Sequence, residues 1–289
     1  MDIQRFRVSE NKSLTFEDYQ TDFTGNYTSK DGAEKDLKKN VKRLSNLQQT
    51  LYADDKHSLL IIFQAMDAAG KDGTIRHVMS GLNPQGCQVY SFKQPSKEEL
   101  DHDYLWRCSK ALPERGRIGI FNRSYYEDVL VVRVHPGILA ASPLPDEIKG
   151  DSKIWQKRFE QIANFEKHLA ENGTHVIKFF LNVSKDEQKR RFVSRIETPE
   201  KNWKFSMGDV KERGFWNAYQ NAYRETIQAT STQESPWFII PADHKWFMRL
   251  AVSEVIAQKL ESLDLRYPAL SEEHMQELLE AKKMLENED

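Results

Sequence analysis

Leu59-Leu60-Ile61-Ile62-Phe63-Gln64-Ala65-Met66-Asp67-Ala68-Ala69-Gly70-Lys71-Asp72-Gly73-Thr74, followed by Ile75-Arg76-His77-Val78-Met79, reads as strand, phosphate loop and helix. The order has a physical meaning. A helix start presents N–H groups with no intrahelical acceptor and the positive end of a dipole, and a glycine-bearing loop lets a phosphate chain approach them closely. Lys71 adds a cation aimed at the same phosphates. The spacing fits G-x-x-x-x-G-K-[ST] at Gly70 and Lys71, with Ala65 in place of the first glycine and Asp72 where the metal-binding hydroxyl would stand. The bland alternative is a tight strand-to-helix turn with a solvated lysine. Five apolar residues emptying into the loop favour phosphate binding by Ala68, Ala69, Gly70, Lys71, Asp72, Gly73 and Thr74, with Arg76 just beyond. Asp67 could be an ordinary turn residue, but a carboxylate among phosphates repels them unless it holds a metal or acts as a base, and that role is the expectation.

The chain around this loop has 289 residues, 39% of them apolar, enough for one large α/β domain with an inserted lid. Its formal net charge is -2, yet Ser271 to Asp289 holds seven acids and two lysines, so the remainder is net positive. A mildly basic body suits a small anionic substrate better than duplex DNA, which asks for a broad positive face. No apolar run approaches a membrane span and no leader pattern opens the chain, and Cys87 and Cys108 lie outside any Cys-x-x-Cys spacing. A cytoplasmic protein with incidental thiols, binding neither membrane nor nucleic acid, is expected.

Taken in order, residues 1–30 are polar and aromatic without a period and read as an extended surface arm. Leu37, Val41, Leu44, Leu47 and Leu51 then make one apolar stripe on a helix over Asp31 to Tyr52. Strands follow the first at Cys87 to Phe92, Arg117 to Phe121, Val176 to Val183 and Pro236 to Pro241. Ser96 and Glu99 stand at capping-box spacing before a helix that runs through Leu100, Tyr104, Leu105 and Trp106, and Ser184 and Glu187 repeat that spacing. Pro136 to Gly150 reads as a surface loop, and helices are expected over Asp151 to Glu171 and Lys245 to Leu263. Strands alternating with helices imply a parallel sheet with right-handed crossovers. The domain boundaries expected are an arm at 1–30, a phosphate-loop domain at 31–270 with a helical lid at about 184–230, and an acidic, mobile tail at 271–289.

Phosphoryl transfer needs positioning, charge neutralisation and a metal more than a protein nucleophile. The third strand empties into Asn122-Arg123-Ser124-Tyr125-Tyr126-Glu127-Asp128, at the sheet end where ligands bind in open α/β folds. There Arg123 would clamp phosphates, with Asn122, Glu127, Asp128 and nearby Arg133 as candidate nucleotide contacts. Arg191 and Arg195 lie four apart on one helix face, either a solvated face or a pair of lid arginines closing over the transferred group. Trp203, Trp216, Tyr219 and Tyr223 could stack a base, though aromatics at helical spacing are more often core. No H-E-x-x-H pair and no G-x-S-x-G elbow exists, so metalloprotease and serine-hydrolase chemistry is unsupported.

Together, Phe63 to Thr74, Asp103-Tyr104-Leu105-Trp106-Arg107, Phe121 to Leu130 and Trp203-Lys204-Phe205-Ser206 resemble the signatures of the polyphosphate kinase 2 family over roughly residues 35 to 265. The resemblance implies a thymidylate-kinase-like phosphate-loop fold, a parallel five-stranded sheet flanked by helices and a helical lid. It implies Mg²⁺ dependence and reversible phosphoryl transfer between inorganic polyphosphate and the adenine nucleotides AMP, ADP and ATP, with guanine nucleotides as a further class. Carried onto matching positions, it makes Asp67 and Lys71 essential loop residues, Arg123 a polyphosphate clamp, Arg191 and Arg195 lid contacts and Lys204 a phosphate contact. Asp67 and Asn122 become the metal ligands, although Asn122 stands where many members carry an Asp. Asn122 with Glu127 resembles the subgroup, often called class III, that phosphorylates both AMP and ADP. The family's tendency to assemble points to a homo-oligomer.

Two rivals remain: an ATP-dependent nucleoside monophosphate kinase on the same fold, and a non-catalytic nucleotide- or polyphosphate-binding module. AMP supplied with polyphosphate and no ATP separates them, because only a polyphosphate kinase then yields ADP.

Overall fold

The computed structural model describes residues 1–10 and 12–288; the side chain of Lys204 lies outside what it describes. Five strands, β1 (Ser58–Gln64), β2 (Cys87–Ser91), β3 (Ile118–Asn122), β4 (Thr174–Asn182) and β5 (Trp237–Pro241), form one parallel sheet ordered β2-β3-β1-β4-β5. β1 is buried along its whole length because it lies between two neighbours under helices on both faces, which is why its sequence is a continuous apolar run. The helices are α1 (Lys30–Asp54), α2 (Lys71–Val78), α3 (Lys97–Leu100), α4 (Trp106–Ser109), α5 (Val131–Val134), α6 (Pro136–Ala140), α7 (Asp146–Lys149), α8 (Ile154–Glu171), α9 (Lys185–Glu197), α10 (Met207–Arg213), α11 (Trp216–Thr230), α12 (Lys245–Glu261) and α13 (Glu272–Glu286). None is long and apolar enough to cross a membrane.

α1 packs along α12. Asn40 donates to Ser253 Oγ and to Glu254, both at 3.0 Å, and Arg43 pairs with Glu254 at 3.2 Å and with Glu261. The buried face of α1 takes in Asn40 and Gln48 beside Leu44 and Leu51. The amide of Gln48 both accepts from Asn83 N and donates to Asn83 O at 2.8 Å, so a polar group is buried without an orphaned atom.

Several expectations need correction. Residues 1–30 do more than lie on the surface as an extended arm: Ile3, Phe6, Val8 and Leu14 enter the core, and Val8 N donates to Trp237 O at 2.9 Å along the free edge of β5. An irregular segment that covers a sheet edge shows no period for sequence reading to detect. The helix opened by Ser96 stops at Leu100 after a complete capping box and resumes only over Trp106–Ser109. Pro136 to Gly150 contains two short helices, with Leu139 buried. At Ser184 only half of a capping box forms: its hydroxyl accepts from Glu187 N, while the Glu187 carboxylate goes to Arg191 and Arg190. The acidic tail is helical over Glu272–Glu286, capped by Ser271 on His274 N at 3.1 Å, with acids in its first turn and a Lys282–Glu286 pair at 3.6 Å.

Candidate active site

The loop after β1 turns on Ala68 (φ 59°) and Gly70 (φ 111°), and Gly70 caps α2 without a side-chain acceptor. The first ladder bond of α2 runs from Thr74 N to Gly70 O at 3.0 Å, so the N–H groups of Lys71, Asp72 and Gly73 lie outside the helix's own ladder and face the sheet's carboxyl end. A left-handed alanine costs on the order of 1–2 kcal/mol, held here by the surrounding loop. Lys71 is 9% exposed and donates to Ala65 O at 3.0 Å. Burial first, then the Arg123 charge, lowers its pKa.

Arg123, one residue beyond β3, is also left-handed (φ 65°), and its N–H is fixed by Phe63 O at 3.0 Å. Its guanidinium reaches Asp67 Oδ1 at 3.2 Å. Burial works against its charge, but the carboxylates of Glu127 and then Asp67 more than offset that and raise its pKa. Burial raises the Glu127 pKa, against the pull of Arg123 and Lys71. The Asn122 amide donates to Asp72 Oδ1 at 2.7 Å. That holds a carboxylate at the loop position where the phosphate-loop pattern places a metal-binding hydroxyl.

A cavity of about 210 Å³ opens over this floor. Ala65, Met66, Asp67, Arg123 and Glu127 come from the strand ends, Gln188, Asp209, Glu212 and Arg213 from α9 and α10, and Tyr219 and Tyr223 from α11. Gln188 ties the two walls together, donating to Asp67 O at 3.0 Å and accepting from Arg213 Nη1 at 2.8 Å. Glu212 accepts from Tyr219 Oη at 2.7 Å and lies 2.9 Å from His135 Nε2. Asp209 accepts from Arg195 Nη1 at 3.4 Å, and burial followed by the nearby Asp67 charge raises its pKa.

The structure therefore gathers Asp67, Lys71, Arg123 and Glu127 in one place and brings Arg195 to its rim through Asp209. It treats three other candidates differently. Arg191 is 8% exposed and all five of its N–H donors are taken: Nε by Glu187 at 2.7 Å, Nη1 by Ala68 O and Ala69 O at 3.1 and 2.6 Å, Nη2 by Ala242 O and Asp243 O at 2.5 and 3.1 Å. The lid-contact expectation for Arg191 is thus corrected: this side chain stitches the phosphate loop to the residues after β5. Asp128 faces α8 instead of the cavity, with Arg158 Nη1 on its backbone oxygen at 2.6 Å and 3.8 Å from its carboxylate. Burial pushes its pKa up to about 6. Arg133 pairs with Glu225 of α11 and lies over Trp155 and Phe159. Trp203 is 77% exposed, Trp216 packs against the core, and Tyr219 and Tyr223 alone of the four aromatics line the cavity. Arg76 is exposed on α2, and the phosphate role expected of Lys204 falls outside the described atoms.

Sequence reading missed Gln188, Asp209, Glu212 and Arg213. A signal existed, since Ser206 caps α10 through Gly208 N at 3.0 Å and the acids and Arg213 follow at helical spacing. Among the described residues no group of three His, Cys, Asp or Glu side chains could hold a metal alone. Mg²⁺ takes one or two carboxylates and completes its shell with substrate phosphates and water, so the partly exposed Asp67 carboxylate and exposed Asp72 beside one phosphate loop fit it.

A family model described as Polyphosphate kinase 2 (PPK2) matches residues 27–268. An "ADP-polyphosphate phosphotransferase" of Rhodopseudomonas palustris is 52% identical over 282 residues, covering 98% of each chain. An "AMP/ADP-polyphosphate phosphotransferase" of Meiothermus ruber is 43% identical over 267 residues, 92% of this chain and 96% of that one. The crystal structure of Polyphosphate Kinase 2 from Arthrobacter aurescens superposes with a TM-score of 0.85 at 37% identity, covering 95% of this chain and 94% of the other.

Proposed function

The chain belongs to the polyphosphate kinase 2 family, and from that premise we propose that it transfers the terminal phosphoryl group of inorganic polyphosphate to AMP and to ADP. The observation that carries the reading is the contact of Asp67 with Arg123 over buried Lys71, beside a helix start with unclaimed N–H groups and under a cavity walled by α9 to α11. Lys71 and the N–H groups of residues 71–73 hold the phosphates in line, and Arg123 clamps the transferred group. An oxygen of the nucleotide's terminal phosphate attacks the terminal phosphorus of the chain. The P–O bond to the next phosphate breaks, and the shortened chain leaves with the electron pair. One anhydride replaces another, so the reaction runs readily both ways.

Asp67, Asp72 and the side-chain oxygen of Asn122 would hold Mg²⁺, which neutralises phosphate charge when bound. Tyr219 and Tyr223 line the cavity from α11 as candidate contacts to the base, and Glu212 and Arg213 offer polar contacts to the nucleotide. A cytoplasmic, self-associating enzyme that also takes guanine nucleotides completes the reading, and light scattering together with a GDP assay checks the last two points.

The test is phosphorus NMR of the purified protein with Mg²⁺ and polyphosphate, first with AMP and then with ADP, and no ATP at the start. ADP followed by ATP is expected, with loss of the interior-phosphate signal of the chain while its end groups stay constant in number, each removed end being replaced by a new one. A second reading, ADP as sole acceptor, is favoured by the name of the R. palustris relative. Conversion of ADP alone would select it, and conversion of neither would leave the ATP-dependent kinase or the binding module.

A further inference from the structure

The first turn of α9 is closed by a residue from outside the helix. In a full capping box the N3 carboxylate accepts from the N-cap N–H. At α9 the N3 residue Glu187 has turned to Arg190 and Arg191, and the N–H of Ser184 is taken instead by Asp243 Oδ1, at 2.8 Å. Asp243 lies two residues beyond β5, so the root of α9 is fastened to the carboxyl end of the strand beside its own.

The other oxygen of that carboxylate belongs to the N-terminal arm. Thr21 Oγ1 donates to Asp243 Oδ2 at 2.8 Å, and Asp243 N donates to Thr21 O at 3.0 Å, a two-bond clasp between residues 222 apart in the chain. Beside it, the side-chain amide of Asn182 at the end of β4 donates to Tyr19 O at 2.9 Å. Phe16 stacks on Phe180 at 5.4 Å, and Phe6, Phe23 and Phe247 meet edge to face with centroids 5.9 to 6.2 Å apart. The arm is therefore anchored on both sides of residues 19–21, and the clasp has a fixed point to hold against.

From Asp243 the ties run on to the floor of the site. Its carbonyl accepts from Arg191 Nη2 at 3.1 Å, and the same guanidinium holds the carbonyls of Ala68 and Ala69. One turn from the root, Gln188 donates to Asp67 O at 3.0 Å. Towards its other end α9 reaches Asp209 of α10 through Arg195. A helix pinned at its first turn and carrying a cavity wall at its last swings about the pin, and a misplacement of about 1 Å at a reacting centre costs on the order of a hundredfold in rate.

We propose that Asp243 is a positioning residue for phosphoryl transfer and that Thr21 holds it in place, so that residues 19–21 of the arm act as a strap on the root of the lid. The inference rests on the phosphoryl-transfer reading above and gives the arm a part in it. Neither residue lines the cavity, so the groups that bind substrate stay as they are and the strap sets only where α9 comes to rest over them.

The experiment measures kcat and KM for ADP and for polyphosphate, the melting temperature, and the rate of tryptic cleavage after exposed Lys201, between α9 and α10, in T21V, T21S, D243A and T21V/D243A. T21V keeps the shape of the side chain without its donor. It is expected to lower kcat by roughly tenfold, the equivalent of one hydrogen bond to a charged group, with both KM values within twofold and Tm within about 3 °C. Cleavage at Lys201 speeds up severalfold, because the lid opens locally while the fold holds. T21S, which keeps the donor, stays within twofold in every rate. D243A is slower than T21V, and T21V/D243A is no slower than D243A, since Thr21 acts only through Asp243.

A kcat within twofold of the unaltered protein's in both T21V and D243A overturns the positioning role, as do additive losses in the double variant. Unchanged cleavage in both overturns the strap. Absence of turnover in the unaltered protein would instead overturn the phosphoryl-transfer reading, and the cleavage rates would then decide by themselves whether the arm holds the lid.

Discussion

Replacing Arg191 with methionine separates a structural stitch from a catalytic contact. Methionine keeps much of the apolar stem but removes all five hydrogen bonds, leaving the carbonyls of Ala68, Ala69, Ala242 and Asp243 without their donor in a buried place. Glu187 keeps Arg190 at 2.9 Å, so it is not stranded. A hydrogen bond from a charged donor contributes about 1.5–3 kcal/mol, but five made by one side chain do not add. The four buried carbonyls left without a donor are the better guide, at about 1–3 kcal/mol each but less than additively, or about 3–5 kcal/mol together. At about 2.1 cal/mol/K of unfolding entropy per residue, a chain of 289 residues loses roughly 5–8 °C in Tm. Because two of the four carbonyls, those of Ala68 and Ala69, belong to the phosphate loop, activity falls as well, through disorder there. The assay is a calorimetric melt run beside steady-state kinetics. A Tm unchanged to within about 2 °C, with turnover down by a factor on the order of a hundred or more, is the signature of an arginine touching the transition state. It would refute the stitch.

Asp67→Asn is expected to abolish turnover at every Mg²⁺ concentration tried, with the fold intact by circular dichroism; full recovery in excess Mg²⁺ would remove its indispensable role. His175, whose Nε2 lies 3.2 Å from His57 Nδ1, has its pKa lowered to about 4 by burial, then by Lys259 and His57. The unfolded chain therefore binds the extra proton first, and the stability from neutral His175, full above about pH 6.5, is lost as pH falls towards 4. His175→Gln should flatten denaturation midpoints over that window, and an unaltered slope would refute the assignment. Lys178→Met should cost about 3–5 kcal/mol in urea melts, because it leaves the 1%-exposed Glu166 carboxylate with only the hydroxyls of Tyr125 and Tyr126. Lys178→Met combined with Glu166→Leu should recover a large part of that cost.

The sheet was legible because burial on both faces writes itself into sequence as uninterrupted apolar runs, and Leu59 to Phe63 is the clearest. Asp67, Lys71 and Arg123 were legible because each lies within a few residues of such a run's end, where the chain has little freedom to go elsewhere. Arg191 was misread for the opposite reason. Helical spacing with Arg195 fixes which face it starts from, but the carbonyls that turn it inward come from residues 68–69 and 242–243, far away in sequence. Asp128 and Arg133 were misassigned by proximity to Arg123: the 3₁₀ turn Tyr125–Val129 rotates successive side chains to different walls, keeping Glu127 over the cavity and sending Asp128 to Arg158. Phe6 and Val8 carry no period at all, since their burial is decided by β5, more than two hundred residues on.

The position of β1 at the centre of the sheet has a consequence for how the protein is made. Its partners β3 and β4 follow it in the chain, and β4 ends about 120 residues after β1 does. At ~5–20 residues per second on the ribosome, that is roughly 6–24 s during which a seven-residue apolar strand has emerged with at least one edge open. Such a segment is a ready template for pairing with a neighbouring nascent chain. Overproduction should therefore fail first by aggregation during synthesis, and slower translation at low temperature or added holding chaperone should raise the soluble yield far more than any change to the finished fold.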